Sequence, residues 1–189
     1  MTAPEPIPLH GGRHSDRTVG HGPPGFEEFF REYWPMVRRY LVWLEAELSV
    51  LDDAAQMTMV SAYTYWGRVS QMDQPRGWLF KIAGQRLQDA REARRRNGMP
   101  ADTETLHAQL AHPDPIAASD QRLDILAATR KLPRRQQEAL ALREQFGLPY
   151  KEIAQIMGAA PATVRAHVHQ ARQTLKEMLG DETQEGADA

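Results

Sequence analysis

The sequence predicts an all-α protein of two small helical domains joined by a flexible linker, the second built around a helix-turn-helix. Three observations predict it. From Phe26 onward the large apolar residues recur at steps of three and four, the period of one helical face. No stretch alternates apolar and polar residues with the period of two that a half-buried strand needs. Residues 97–119, with Gly98, Pro100, Pro113 and Pro115 and few large apolar side chains, divide the helical pattern into two bodies.

The elements follow in order. Residues 1–25 hold five of the 13 prolines and five of the 13 glycines and almost nothing to bury, so burial cannot offset the entropy of ordering and a disordered tail is predicted. Phe26, Phe29, Phe30, Tyr33, Val37, Tyr40, Leu41, Leu44 and Leu48 then share one face of a long amphipathic helix, with a kink expected at Pro35. A second helix is predicted from Leu51 to Trp66, with Asp52 and Asp53 suited to the dipole of its first turn and Gly67 as its end. A polar loop, residues 71–75, leads to a third helix from Arg76 to Arg96. Its apolar side is Trp78, Leu79, Ile82, Ala83, Leu87 and Ala90, and its local charge is +5. Past the linker, the second domain spans 120–180. It opens near Asp120 and continues with Leu123, Leu126 and Leu132, with Pro133 expected as a first helical residue. After Phe146 and Gly147, a short helix from Tyr150 to Met157 is closed by Gly158, and another runs from about Ala162 to Leu179. Residues 125–180 again carry +5, and 181–189 read as an acidic disordered tail.

Composition excludes several chemistries. The 189 residues include no cysteine, so no disulfide framework, thiolate zinc site, iron–sulfur cluster or cysteine nucleophile is available. No apolar run approaches the ~20 residues that span a bilayer, and the first 25 residues lack a secretory apolar core, so a cytoplasmic protein is expected. No carboxylate pair, triad or metal-ligand spacing stands out, and neither catalysis nor a cofactor is expected. His10, His14 and His21 are the weak metal candidates, in a glycine-rich setting. The net charge of -2 conceals two strongly basic segments, and local distribution decides whether a chain attracts nucleic acid.

In the second domain, Ile153, Ala154 and Met157 form the inner face of one helix and Val164, Val168, Ala171, Leu175 and Met178 the inner stripe of the next. At 100° per residue the far side of that second helix displays Ala162, Ala166, His169, Gln170 and Gln173, flanked by Arg165, Arg172 and Lys176. That face suits a major groove, with polar groups toward base edges and cations toward phosphates. A helical hairpin with a solvated polar face has the same spacing. His167 and His169, two residues apart, fall on different faces and do not form a metal pair; both are expected to face DNA or solvent. In the first domain, the cluster from Tyr63 to Trp66 borders the polar loop and the basic helix, a combination of rings and cations that suits an unstacked strand. Trp78 is assigned to the core.

These residues reach a known family. The chain from 26 to 179 resembles the bacterial extracytoplasmic-function sigma factors through Phe26 to Phe30 with Tyr33, Trp34 and Pro35, then Asp52 to Met59, then Trp78 to Ala83 with Asp89 and the arginine run. The second-domain matches are Leu132 to Gln136, Gly147 to Gly158, and Thr163, Val164 and Arg165 through Ala171 and Arg172. The resemblance implies a region 2 over 26–96 for polymerase and the promoter −10 element, and a region 4 over 120–180 for the −35 element. It implies core RNA polymerase, promoter DNA and an anti-sigma protein as partners. By the same resemblance Asp52, Asp53, Gln56 and Met57 face the polymerase clamp. Gln71, Met72, Asp73 and Gln74 form the loop that captures a flipped base, while Arg76, Lys81, Gln85, Arg86 and Asp89 hold the melted strand. Thr163, Arg165, Ala166, His169, Gln170 and Arg172 read the −35 duplex. Met57 stands where the family usually has an acidic residue, Ala166, His169 and Gln170 replace its commoner base-reading choices, and Pro149 and Pro161 take the place of capping hydroxyls. An autonomous helix-turn-helix regulator is the alternative, although no dedicated dimer helix is visible; a helical adaptor or enzyme is the other class weighed.

Overall fold

The computed structural model describes residues 23–45, 47–97 and 120–185, with only the backbone described for 120–123 and 181–185. Residues 1–22, 98–119 and 186–189, which include most of the predicted tails and linker and the three N-terminal histidines, lie outside the described residues. Eight helices are present among the described residues: α1 Phe26–Leu44, α2 Leu48–Thr64, α3 Trp66–Val69, α4 Pro75–Asn97, α5 Asp120–Arg130, α6 Arg134–Glu144, α7 Tyr150–Met157 and α8 Pro161–Glu185. No strand occurs among the described residues.

The first helix ends sooner than its apolar period suggests. Leu48 begins α2 instead of closing α1, because Glu45 adopts an extended conformation (φ -139°, ψ 133°). Arginines of α4 hold the break. Arg91 donates to the Glu45 carboxylate at 2.7 Å and to the carbonyl of Leu44, and Arg94 pairs with Glu47. A helix end leaves carbonyls without intrahelical partners, and a guanidinium reaching across from a neighbour satisfies one of them. Pro35 lies inside α1, and Glu27 and Glu28 occupy its first turn, where carboxylates suit the dipole.

Helix α2 is enclosed by α1 and α4, so Leu51, Ala54, Ala55, Met59 and Ala62 are buried, together with Thr58 and Ser61. Those two hydroxyls satisfy themselves locally: Thr58 Oγ1 donates to the Ala54 carbonyl and Ser61 Oγ to that of Met57, each at 2.7 Å. Gly67 does not end α2 as expected. Tyr65 does, and Gly67 lies within α3, whose Val69 is buried. Pro75 opens α4 rather than closing the polar loop, as fits a residue without an N–H at a first helical position.

In the second half, Pro133 caps α6 and Arg134 is its first residue. Gly158, at φ 62°, supplies the left-handed step that ends α7, and the Ala159 N–H returns to the Ala154 carbonyl at 3.0 Å. Helix α8 passes Leu179 and continues to Glu185, so 181–185 are helical where a disordered tail is expected. Gly180 costs only about 1 kcal/mol relative to alanine inside a helix, too little to force a stop when helix-compatible residues follow.

The two halves share one core. Helix α1 packs on α5 and α6 as well as on its own half, and α4 packs on α7. At the junction Tyr40 and Phe80 are fully buried; the Phe80 ring lies 5.0 Å from Tyr40 and 4.6 Å from Phe146, and the Arg39 guanidinium covers Phe146 at 4.7 Å. Burial first, then the nearby Glu138 carboxylate, pushes the Tyr40 phenol far above its ordinary range. Arg130 reaches back to the Val42 carbonyl from both Nε (3.2 Å) and Nη2 (2.6 Å), and burial lowers its pKa against the raising influence of Glu45.

Candidate nucleic-acid interface

The helix-turn-helix is built as its apolar pattern predicts. Ile153, Ala154 and Met157 of α7 and Val164, Val168 and Ala171 of α8 are buried against α6 and each other. Every residue predicted to face the duplex is exposed: Thr163, Arg165, Ala166, His169, Gln170 and Arg172. Two of them are engaged elsewhere on the molecule. Gln170 accepts from Gln136 Nε2 at 3.3 Å, and Arg172 donates to Glu144 at 3.2 and 2.5 Å, which raises its pKa. Arg165 has no ion pair among the described residues. His167 departs from expectation: it is half-buried, and its Nδ1 is enclosed without a hydrogen-bond partner, because its position turns toward the inner stripe.

A second surface lies on α2. Asp53, Gln56 and Met57 are exposed, while Asp52 is half-buried and binds Arg38 at 2.7 Å. Continuous with Met57 (46% exposed) are Val60 (51%), Tyr63 (48%) and, from α1, Phe30 (38%). Sequence reasoning missed this apolar strip; its signal was the spacing of Met57, Val60 and Tyr63 on the side of α2 opposite Leu51, Ala55 and Ala62. Tyr63 meets Phe26 edge to face at 5.1 Å, and Trp66 is held by the Pro24 carbonyl at 3.1 Å and by Phe26 and Phe29, so the ring cluster is in good part the anchor of α1 on α2. Trp78 is half-buried against the core, as expected.

The third surface is the loop before α4 and the face of α4 beyond it. Gln71, Asp73 and Gln74 are exposed and Met72 is half-buried against the core. Lys81 and Gln85 are exposed, and they border a cleft of about 260 Å³ whose far wall is Arg134, Arg135 and Ile156 from the second half. Arg86 donates to Ser61 Oγ at 3.1 Å and to Asp89 at 3.0 Å. Arg76 is tied across the junction: its Nε and Nη2 donate to the two carboxylate oxygens of Glu152 at 3.2 and 3.1 Å.

Part of the basic charge counted for nucleic acid therefore has structural work. Arg91 and Arg94 hold the α1–α2 connection, Arg130 holds α1, Arg135 donates to the Met157 carbonyl at 3.1 Å, and Arg143 donates to that of Leu148 at 2.9 Å while covering the Tyr150 ring. Of the basic residues in these two segments, Lys81, Arg95, Arg96, Lys131, Arg135, Lys151, Arg165, Arg172 and Lys176 are exposed, spread over α4, the turn after α5, α6, α7 and α8. Among the described residues no group of acidic residues or histidines could hold a metal ion, and no helix is long and apolar enough to cross a membrane.

Residues 122–175 match the family model for sigma-70 region 4. The chain is 30% identical over 172 residues to the extracytoplasmic-function sigma factor SigE of Mycolicibacterium smegmatis, covering 87% of this chain and 65% of that protein. It is 27% identical over 157 residues to the sigma factor CarQ of Myxococcus xanthus, covering 82% and 90%. The chain thus spans a little under two thirds of the first of these relatives and most of the second. Among solved structures, the sigma factor RpoE of Bartonella quintana, in complex with the anti-sigma factor NepR, shares the fold with a TM-score of 0.65 at 24% identity, over 82% of this chain and 96% of that one.

Proposed function

We propose that the chain is an extracytoplasmic-function sigma factor that binds core RNA polymerase and directs initiation at a class of promoters, without covalent chemistry of its own. The observation that carries the reading is the two-faced α8: one side is locked into the core by Val164, Val168 and Ala171, and the other presents Arg165, Ala166, His169 and Gln170 together to solvent. A helix held that rigidly can set side chains against base edges with little entropy left to lose.

In this reading α8 supplies register on the −35 duplex, with Thr163 and Arg172 toward phosphates. The loop from Gln71 to Gln74 receives a flipped base of the −10 strand, and Arg76, Lys81, Gln85, Arg86 and Asp89 hold that strand. Asp53 and Gln56 face the polymerase clamp, and Met57 adds an apolar contact where a charge is common. Asp52 supports that face through Arg38 instead of offering a free carboxylate. Capture of one unstacked base contributes about 1–3 kcal/mol, comparable to the stacking lost at one or two base steps. Linking two modest sites raises the effective concentration of the second, so neither half needs to bind tightly alone. The protein works in the cytoplasm, and its partners are core polymerase, promoter DNA and an anti-sigma protein.

The test is transcription from a mapped promoter with purified core polymerase. Promoter-specific initiation that requires this chain is the expected result; duplex binding without initiation would instead identify an autonomous regulator. Asp53→Ala should weaken holoenzyme assembly in a binding titration while leaving duplex binding by α8 unchanged, and an unaltered affinity for core enzyme removes the clamp assignment.

A further inference from the structure

The seam between the halves covers part of the face that the proposed function gives to the melted strand. Helix α7 lies across the start of α4, so close that a Cβ on Gly77 would lie 3.8 Å from Ile156 Cγ1. Over that contact Arg76 is engaged by both oxygens of Glu152, and a little further along Lys81 and Gln85 face Arg134 and Arg135 across the cleft. A guanidinium gripping two carboxylate oxygens is the arrangement that it uses on two phosphate oxygens, so one side chain cannot serve both at once.

We propose that α7 is an autoinhibitory cover for the strand-binding face of α4, with Glu152 occupying on Arg76 the place of a nucleic-acid phosphate. This rests on the reading of α4 as the strand-binding helix. The seam must open before the strand can engage Arg76, and the apparent affinity of the free protein is lowered by the fraction of molecules that are closed. Glu152 is suited to such a role because its side chain is 21% exposed and that of Arg76 43%, so the pair is sheltered enough to hold and wet enough to exchange. The apolar junction of Tyr40, Phe80 and Phe146 gives the closed form its registry, and the ion pair decides which ligand Arg76 carries.

The chain has no cysteine, so Glu92→Cys on α4 and Glu177→Cys on α8, both exposed positions, accept spin labels without background in the full-length protein. Pulsed dipolar spectroscopy should give one narrow distance distribution. Glu152→Arg should lengthen and broaden it, Glu152→Gln should do so less, and the swap Arg76→Glu with Glu152→Arg should restore it. A fluorescein-labelled oligo(dT) serves as the strand probe, and Asp124→Arg, the same charge change at an exposed site on α5, measures what an added cation does by itself. By anisotropy Glu152→Arg should bind about fivefold tighter than Asp124→Arg, the scale of a lost, partly exposed ion pair. An unchanged distance distribution in Glu152→Arg overturns the latch, and a lengthened one with an affinity equal to that of Asp124→Arg overturns the cover. If the seam opens and Lys81→Ala in that background leaves oligo(dT) binding untouched, it is the strand-binding assignment of α4 that has failed.

Discussion

Gly158 carries the turn of the helix-turn-helix by itself, at φ 62° with open space where a side chain would sit. A Cβ there meets no neighbour but strains its own backbone, so Gly158→Ala should destabilise the protein by about 1–2 kcal/mol, measured by chemical denaturation. The same local reasoning separates two arginines of α8 that sequence spacing treats alike. Arg165 has no ion pair among the described residues, whereas Arg172 must leave Glu144 before it can reach a phosphate. Arg165→Ala should therefore cost about 1–3 kcal/mol on a specific promoter duplex, and Arg172→Ala less, in the same mobility-shift or anisotropy titration. The exposed set of α8 was legible because an amphipathic helix fixes both of its faces at once. His167 was misplaced because two residues of separation settle only that it points away from His169, not that it turns inward to an enclosed Nδ1.

At the scale of elements, α7 was read to the residue because a proline precedes it and a left-handed glycine ends it, whereas the end of α1 left no such mark. Apolar residues at helical spacing run straight through the break at Glu45, and what stops the helix comes from about 46 residues further along the chain. Arg91 offers its guanidinium to the Leu44 carbonyl and the Glu45 carboxylate, so Arg91→Met removes the donor and keeps the apolar stem. A part-buried carbonyl and carboxylate deprived of that donor should lower stability by about 1–3 kcal/mol, read from the denaturant midpoint at unchanged slope. The basic run of α4 was legible as charge but not as function. Composition counts Arg91 and Arg94 with Arg95 and Arg96, and only the fold distinguishes the pair that staples α1 to α2 from the pair that faces solvent.

Across the whole molecule, the sequence divides the chain at the linker, yet the described halves are packed as one body through Tyr40, Phe80, Phe146 and the Arg130 hydrogen bonds to Val42. Contacts between residues so far apart have no local signature. Phe80, which the apolar side read from the sequence leaves out, has the same local neighbours whether its partner is another residue of the same half or Phe146 beyond the linker. The distribution of tryptophan makes the coupling measurable. All four tryptophans, Trp34, Trp43, Trp66 and Trp78, belong to the first half, and Trp43 lies beside Ile125 and Leu140 at the junction, so their fluorescence reports that half and its seam while circular dichroism at helical wavelengths reports both halves. If the halves share one core, the two signals should trace the same denaturant transition, the usual behaviour of a cooperative unit. Phe146→Ala, which deletes the ring that Phe80, Tyr40 and Arg39 all touch, should cost the junction about 3 kcal/mol and pull the two curves apart. Separate transitions in the unsubstituted protein would mean that the halves unfold independently and that their packing is weaker than this shared core requires.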